Sequence, residues 1–132
     1  MIKKQFTLYL ENKPGELARV TRVLAREKIN IEGISSYTSA DVGLVQIVVS
    51  NAIRTRSVLK RAGVAYTAQD VVVVGLDNRP GALAEITARI AESGVNINYL
   101  YATAGEGPDG SRCYAVINAP SLNRTRLPAA FR

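Results

Sequence analysis

Asn12-Lys13-Pro14-Gly15-Glu16-Leu17-Ala18 returns 66 positions later as Asn78-Arg79-Pro80-Gly81-Ala82-Leu83-Ala84. The match continues at the same offset. Ile29-Asn30-Ile31 becomes Val95-Asn96-Ile97, and Leu17, Val20 and Leu24 become Leu83, Ile86 and Ile90. Nine of the twenty positions 12–31 are identical in 78–97, so the chain is two copies of one unit. A unit of that length is too long for a solenoid repeat and near the lower limit for a domain with its own core. The expected domains are 1–69 and 70–132.

On the N-terminal side of this stretch, Phe6, Leu8 and Leu10 alternate with more polar neighbours, which predicts a strand with one buried face. The turn at Asn12–Gly15 leads into a helix. Pro14 suits its first turn, Glu16 suits the positive end of its dipole, and Leu17, Val20 and Leu24 form its apolar stripe as far as Lys28. A second strand is expected from Ile29 to Tyr37, a turn at Ser39–Gly43 and a third strand at Leu44–Val49. Ser50 or Asn51 can cap a second helix with Ala52, Thr55, Leu59 and Ala62 on one face and Gly63 as its stop. A fourth strand near Val64–Ala68 leads to Val71–Leu76, the first strand of the second unit. The order β-α-β-β-α-β gives an α+β fold of two ferredoxin-like modules, each an antiparallel sheet with helices on one face.

The second unit is expected to be truncated at its C-terminal end. A glycine-rich loop, Ala104–Gly110, separates its middle strands, and after its third strand, Arg112–Ile117, only the stretch 118–132 remains, with Pro120 and Pro128 in it. A complete last helix and strand do not fit. Val71–Leu76 is then expected to be an open, uncharged sheet edge, covered by a second chain in a homodimer or by the tail Pro120–Arg132. The two prolines and three arginines make the tail the poorer strand.

Composition excludes several chemistries. The chain has no His, so there is no imidazole base, no His-activated nucleophile and no His-ligated metal. Its single cysteine, Cys113, cannot form an internal disulfide and reads as a small buried hydrophobe. No apolar run approaches the roughly 20 residues of a spanning helix, so a soluble cytoplasmic protein with no membrane partner is expected. The net charge of +6 is uneven: residues 1–63 hold 11 basic and 5 acidic side chains, and residues 64–117 hold 3 and 6. The Arg54, Arg56, Lys60, Arg61 cluster allows a nucleic-acid reading, but Leu44–Val49 lacks the aromatics of an RNA-binding strand, and a solvated helix face is preferred. The glycine-rich loop lacks the Gly-Lys-Ser/Thr ending of a phosphate loop, and Tyr99, Tyr101 and Tyr114 read as core or interface residues.

Asn-x-Pro-Gly-x-Leu, followed by Asn in Ile/Val-Asn-Ile at the same spacing in both copies, from position 12 to 30 and from 78 to 96, resembles the ACT-domain family of amino-acid-sensing regulatory modules. The resemblance implies that asparagines at these positions hold an amino acid at a junction between modules. The implied ligand-binding set is Asn12, Pro14, Gly15, Glu16, Leu17, Asn30 and Ile31 in the first unit, and Asn78, Pro80, Gly81, Ala82, Leu83, Asn96 and Ile97 in the second. The serine-sensing version has a His two residues before the first Asn, where this chain has Leu10 and Leu76, so serine is not singled out.

The chemistry agrees with the resemblance. An amino acid presents a carboxylate and an ammonium, and Asn offers both donor and acceptor. A helix N-terminus favours the carboxylate, and Gly15 or Gly81 lets a ligand approach the backbone. Glu32, Ser35 and Ser36 in one copy, and Asn98, Tyr101 and Ala102 in the other, are expected to shape the side-chain pocket. The same motif is also a competent turn and helix start. The expected function is a non-catalytic regulator that binds an amino acid, with no cofactor or metal. The alternative is a regulatory subunit docking on a metabolic enzyme, because Pro14–Val20 also resembles the small subunit of acetolactate synthase.

Overall fold

Residues 1–104 and 112–122 of the computed structural model are described, and the Gly105–Gly110 stretch and most of the tail lie outside them. The chain divides into a unit of Lys4–Gln69 and a unit of Asp70–Arg132 together with Met1–Lys3.

In the first unit β1 (Ile2–Glu11) is followed by α1 (Glu16–Arg26), β2 (Ile31–Ser39), β3 (Val42–Val49), α2 (Ala52–Arg61) and the start of β4 (Ala65–Asp77). Its strand order is β2-β3-β1-β4, with β3 antiparallel to both β1 and β2. Register puts Phe6 opposite Ile47 and Leu8 opposite Val45. These side chains meet Val20 and Leu24 of α1 and Val58 and Leu59 of α2 in one buried cluster. The α1 stripe is narrower than expected: Leu17 is 40% exposed, and the helix ends at Arg26, with Lys28 already at φ 57°. Asn51 caps α2 by accepting from the Arg54 N–H at 2.9 Å, and Val58 joins Thr55 on its buried face. The expected single buried face of β1 is also corrected, because Gln5 and Thr7 on the helix-free side are buried as well. There the Thr7 hydroxyl donates to Gln69 Oε1 at 3.2 Å, and Gln69 Nε2 donates to Thr67 Oγ1 at 2.8 Å, so the polar atoms are buried with partners.

The second unit has the latter part of β4, then α3 (Ala82–Glu92), β5 (Tyr99–Ala104) and β6 (Arg112–Asn118). Its order is β4-β6-β5, antiparallel throughout. Both units are thus ferredoxin-like modules, the second continuing after β6 into a turn in which the Leu122 N–H donates to the Ala119 carbonyl at 2.7 Å. Leu122 is 6% exposed and packs with Val72, Val74, Leu76, Ile86 and Ile117, so the chain beyond β6 supplies core where a second helix would have packed. Cys113 is only partly buried against this core.

Two expectations about β4 change. It is one strand of 13 residues and not two in succession, since neither glycine nor proline stands at Gln69-Asp70 to break the extended backbone. Its open edge is covered at Val73 by Met1 of the same chain: the Val73 N–H donates to the Met1 carbonyl at 2.8 Å and the Met1 ammonium to the Val73 carbonyl at 3.0 Å. Neither a second chain nor the tail is needed at that position. Among the described residues no helix is long and apolar enough to cross a membrane.

Candidate functional site

In each module the repeated motif forms the same turn. Glu16 N–H donates to the Lys13 carbonyl at 3.4 Å and Ala82 N–H to the Arg79 carbonyl at 3.3 Å. Gly15 lies at φ 90°, ψ −15° and Gly81 at φ 89°, ψ −13°. Proline at i+1 and glycine with positive φ at i+2, between ends joined by that hydrogen bond, make a type II turn. Pro14 and Pro80 therefore precede the helices and do not occupy their first turns as expected. Glycine is required by backbone conformation: an added Cβ at Gly15 meets nothing within 4 Å. The first intrahelical bonds run from Arg19 N–H to the Gly15 carbonyl and from Glu85 N–H to the Gly81 carbonyl, each 2.9 Å. No side chain caps either helix.

The second module has a cleft of about 200 Å³ at this turn. It is lined by Leu76 and Asp77 from the end of β4, Asn78 and Arg79 from the turn, Ala82 and Leu83 from α3, Ala102–Ala104 from β5 and Cys113 from β6. Antiparallel pairing assembles it, since Leu76 faces Cys113 and Ala104 faces Cys113 from the other side. Leu83, 44% exposed, stands at its rim and not in the core.

The charges of the two turns differ. In the second module Arg79 Nη2 donates to Glu85 Oε2 at 3.0 Å, and Arg79 Nε stands 3.8 Å from Asp77 Oδ2, beyond hydrogen-bond range. Glu85 also accepts from Arg89 at 3.2 Å. In the first module the places of Arg79, Asp77, Ala82 and Glu85 are taken by Lys13, Glu11, Glu16 and Arg19. Lys13 pairs with Glu11 at 3.1 Å, and Arg19 Nε and Nη2 donate to the two Glu16 oxygens at 3.2 Å each. The Arg19 hydrogen bonds hold the Glu16 carboxyl below the usual carboxylate range, against partial desolvation.

Of the residues expected at the site, Asn78, Ala82 and Leu83 line the cleft, and Pro80 and Gly81 build the turn beside it. Asn12, Pro14, Gly15, Glu16 and Leu17 occupy the corresponding turn of the first module. Asn30, Ile31, Asn96 and Ile97 lie at the opposite ends of α1 and α3. An eleven-residue helix, about 16 Å long, separates each turn from its partner asparagine. Asn30 is pinned there, its N–H donating to Ser50 Oγ at 3.0 Å. Asn96 Nδ2 donates to Asn98 Oδ1 at 3.4 Å, and Asn98 Nδ2 to Asn118 Oδ1 at 3.2 Å. Within one module the two asparagines do not meet.

Asn98 and Tyr101 are also absent from the cleft. Ala102 pairs with Ala115 of the core, so alternation turns Tyr101 to the other face, where burial and then Tyr99 push its phenol pKa upward. Leu76, Asp77, Arg79, Thr103, Ala104 and Cys113 line the cleft without being among the residues expected there. Asp77 and Arg79 were legible as the charged neighbours of Asn78; the β5 and β6 residues depend on a register that pattern alone does not fix.

A family model described as an ACT domain pair matches residues 1–121. Protein BT0572 from Bacteroides thetaiotaomicron is 35% identical, with a TM-score of 0.83 over 90% of this chain and 80% of that one. The regulatory subunit of aspartate kinase from Thermus thermophilus is 18% identical with a TM-score of 0.69, over 96% of this chain and 91% of that one. Its counterpart from Thermus flavus is 18% identical with a TM-score of 0.65, over 89% and 85%. At these identities the two kinase subunits establish likeness of fold alone. No curated protein matches.

Proposed function

We propose, for a chain that belongs to the ACT domain-pair family, that it is a non-catalytic regulator whose ligand is a free amino acid. The observation that carries this reading is the cleft at the duplicated turn, where Asp77 and Arg79 present opposite charges beside Asn78. A zwitterion needs that combination, and a volume of about 200 Å³ is below the roughly 300–1,000 Å³ of clefts for larger ligands. The chain has no His to activate a nucleophile against what binds. Ligand then acts through its differential affinity for two states of the protein or its assembly.

A thermal-shift screen of the twenty amino acids tests the reading. A ligand at 100 times its Kd should add about 2.7 kcal/mol of stability. A flat response to all twenty, in folded protein freed of carried-over ligand, rejects it.

A second reading, a subunit that docks on a biosynthetic enzyme, is favoured by the helical layer of the first module. Arg22, Arg26 and Lys60 are exposed on α1 and α2, and Ile53 of α2 is 84% exposed. An exposed apolar side chain on a helix pair that also carries exposed basic side chains fits an acidic protein surface. Mixing with the catalytic subunit of acetolactate synthase should change that enzyme's activity, and Ile53→Asp should abolish the change. No effect of the unaltered protein rejects this docking.

A further inference from the structure

The two turns have the same backbone but differently placed charges, and this separates them as sites for an amino acid. At the first helical position the first module has Glu16, whose carboxylate is gripped by Arg19 through two bonds of 3.2 Å. The second has Ala82 there, only 8% exposed, so no carboxylate stands at that position. One helical turn later Arg19 is replaced by Glu85, which draws Arg79 back over the turn. Arg79 Nη1 stands 4.0 Å from where a Cβ on residue 81 would lie.

A guanidinium has five donors, and Glu85 takes one of those on Arg79 at 3.0 Å. The nearest acid on its other side, Asp77, is 3.8 Å away, too far to hydrogen-bond. In the first module the corresponding Lys13–Glu11 pair is closed at 3.1 Å. The loose pair can be opened by a group that satisfies both partners, and the closed one has less to gain.

Resting on the reading of this protein as an amino-acid binder, we propose that the second module's cleft is the ligand site and that it selects uncharged aliphatic amino acids. The ligand carboxylate sits on Arg79 and its ammonium on Asp77. Its side chain lies against Leu76, Ala82, Leu83 and Ala102. Among the described residues the lining carries no charge beyond Asp77 and Arg79, so a second carboxylate or ammonium on the ligand has no counter-charge there. Leu83, exposed without ligand, becomes covered when the side chain enters.

The test is calorimetry on the full chain with leucine as probe. Aspartate and lysine serve as charged competitors, and 4-methylpentanoate and 3-methylbutylamine as analogues lacking one of leucine's two charges. One leucine should bind per chain, at least tenfold more tightly than any of the other four. Charge-assisted hydrogen bonds of the usual strength correspond to tenfold or more on removal, so Arg79→Gln and Asp77→Asn should each weaken leucine about tenfold or more. Both side chains are more than half exposed, and unchanged melting temperatures will show that the variants are folded. Lys13→Gln should leave binding within about twofold.

Two equivalent sites per chain overturn the proposal. So does leucine binding that is indifferent to Arg79→Gln, or a preference for aspartate or lysine, and in those cases the amino-acid reading survives. No binding of any of the twenty amino acids removes that reading and the proposal with it.

Discussion

Replacing Gly15 with alanine isolates the conformational reason for the turn. Gly15 sits at φ 90°, and a built Cβ has no heavy atom within 4 Å, so any cost is backbone strain and not collision. Left-handed backbone costs an L-residue about 1–2 kcal/mol. Alanine returns roughly 0.4–1 kcal/mol by restricting the unfolded chain, which leaves a net loss of about 1 kcal/mol. The same substitution at Gly81, φ 89°, should cost the same within about 0.5 kcal/mol, because only Arg79 Nη1 approaches, at the ordinary contact distance of 4.0 Å. Asparagine, which tolerates this region better, should recover part of the loss in both. Urea unfolding of the ligand-free protein measures this, with the midpoint falling and the slope unchanged. In a thermal scan about 1 kcal/mol corresponds to roughly 4–8 °C for a unit of this size. If alanine is neutral at both positions, the glycines are not there for φ and the type II turn is the wrong account. A loss at Gly15 well above about 2 kcal/mol, the upper end of left-handed strain, would mean that an unrecognised contact is involved.

Other outcomes follow from single contacts. Leu122→Ala should lose about 2–5 kcal/mol on unfolding in urea, since Leu122 is 6% exposed in the second core, and a loss below about 1 kcal/mol would mean the chain after β6 is not part of that core. Asn51→Ala should cost about 1 kcal/mol by the same assay through loss of the α2 cap, with Asn51→Asp nearly neutral. Glu27, held below the usual carboxylate range chiefly by the Arg54 hydrogen bond and also by Arg61, should favour folding above its unfolded-state pKa and lose that contribution as pH falls through its lower folded-state value. The unfolding midpoints of wild type and Glu27→Gln should therefore converge on acidification, and a constant gap would refute the linkage. Val73 exchanges its hydrogen bonds with Met1, so two residues on, Gly75 turns its N–H and carbonyl to the same edge; if two chains pair there, Gly75→Pro should shift a dimer to monomer in light scattering.

The modular architecture was legible because it rests on two periodicities that sequence carries directly, the offset of 66 and the apolar alternation of strands. Thus β1, β3 and α2 could be placed from pattern alone, with the α2 cap narrowed to Ser50 or Asn51. What pattern missed depends on partners remote in sequence. The pairing of Met1 with Val73 involves positions 72 residues apart, and Leu122 enters a core that its own neighbours do not announce. The candidate site divides in the same way. Its turn is local and was readable, whereas the β5 and β6 walls come from register. The asparagine pair is a different matter: the short step from Asn12 to Asn30 looks like proximity, yet a helix lies between its ends and the spacing alone does not bring them together. Similarity between the two copies also hid what separates them. Asn, Pro, Gly and Leu stand in both because the turn and helix start demand them, so they cannot tell a binding module from a structural one. The informative positions are those that changed, Glu16 to Ala82 and Arg19 to Glu85, because the shared backbone imposes no such exchange and its effect is to remove the carboxylate from the first helical position and place one a turn later, where it pairs with Arg79. In a duplicated fold, shared spacing establishes the scaffold, and the differences between copies indicate where function was assigned.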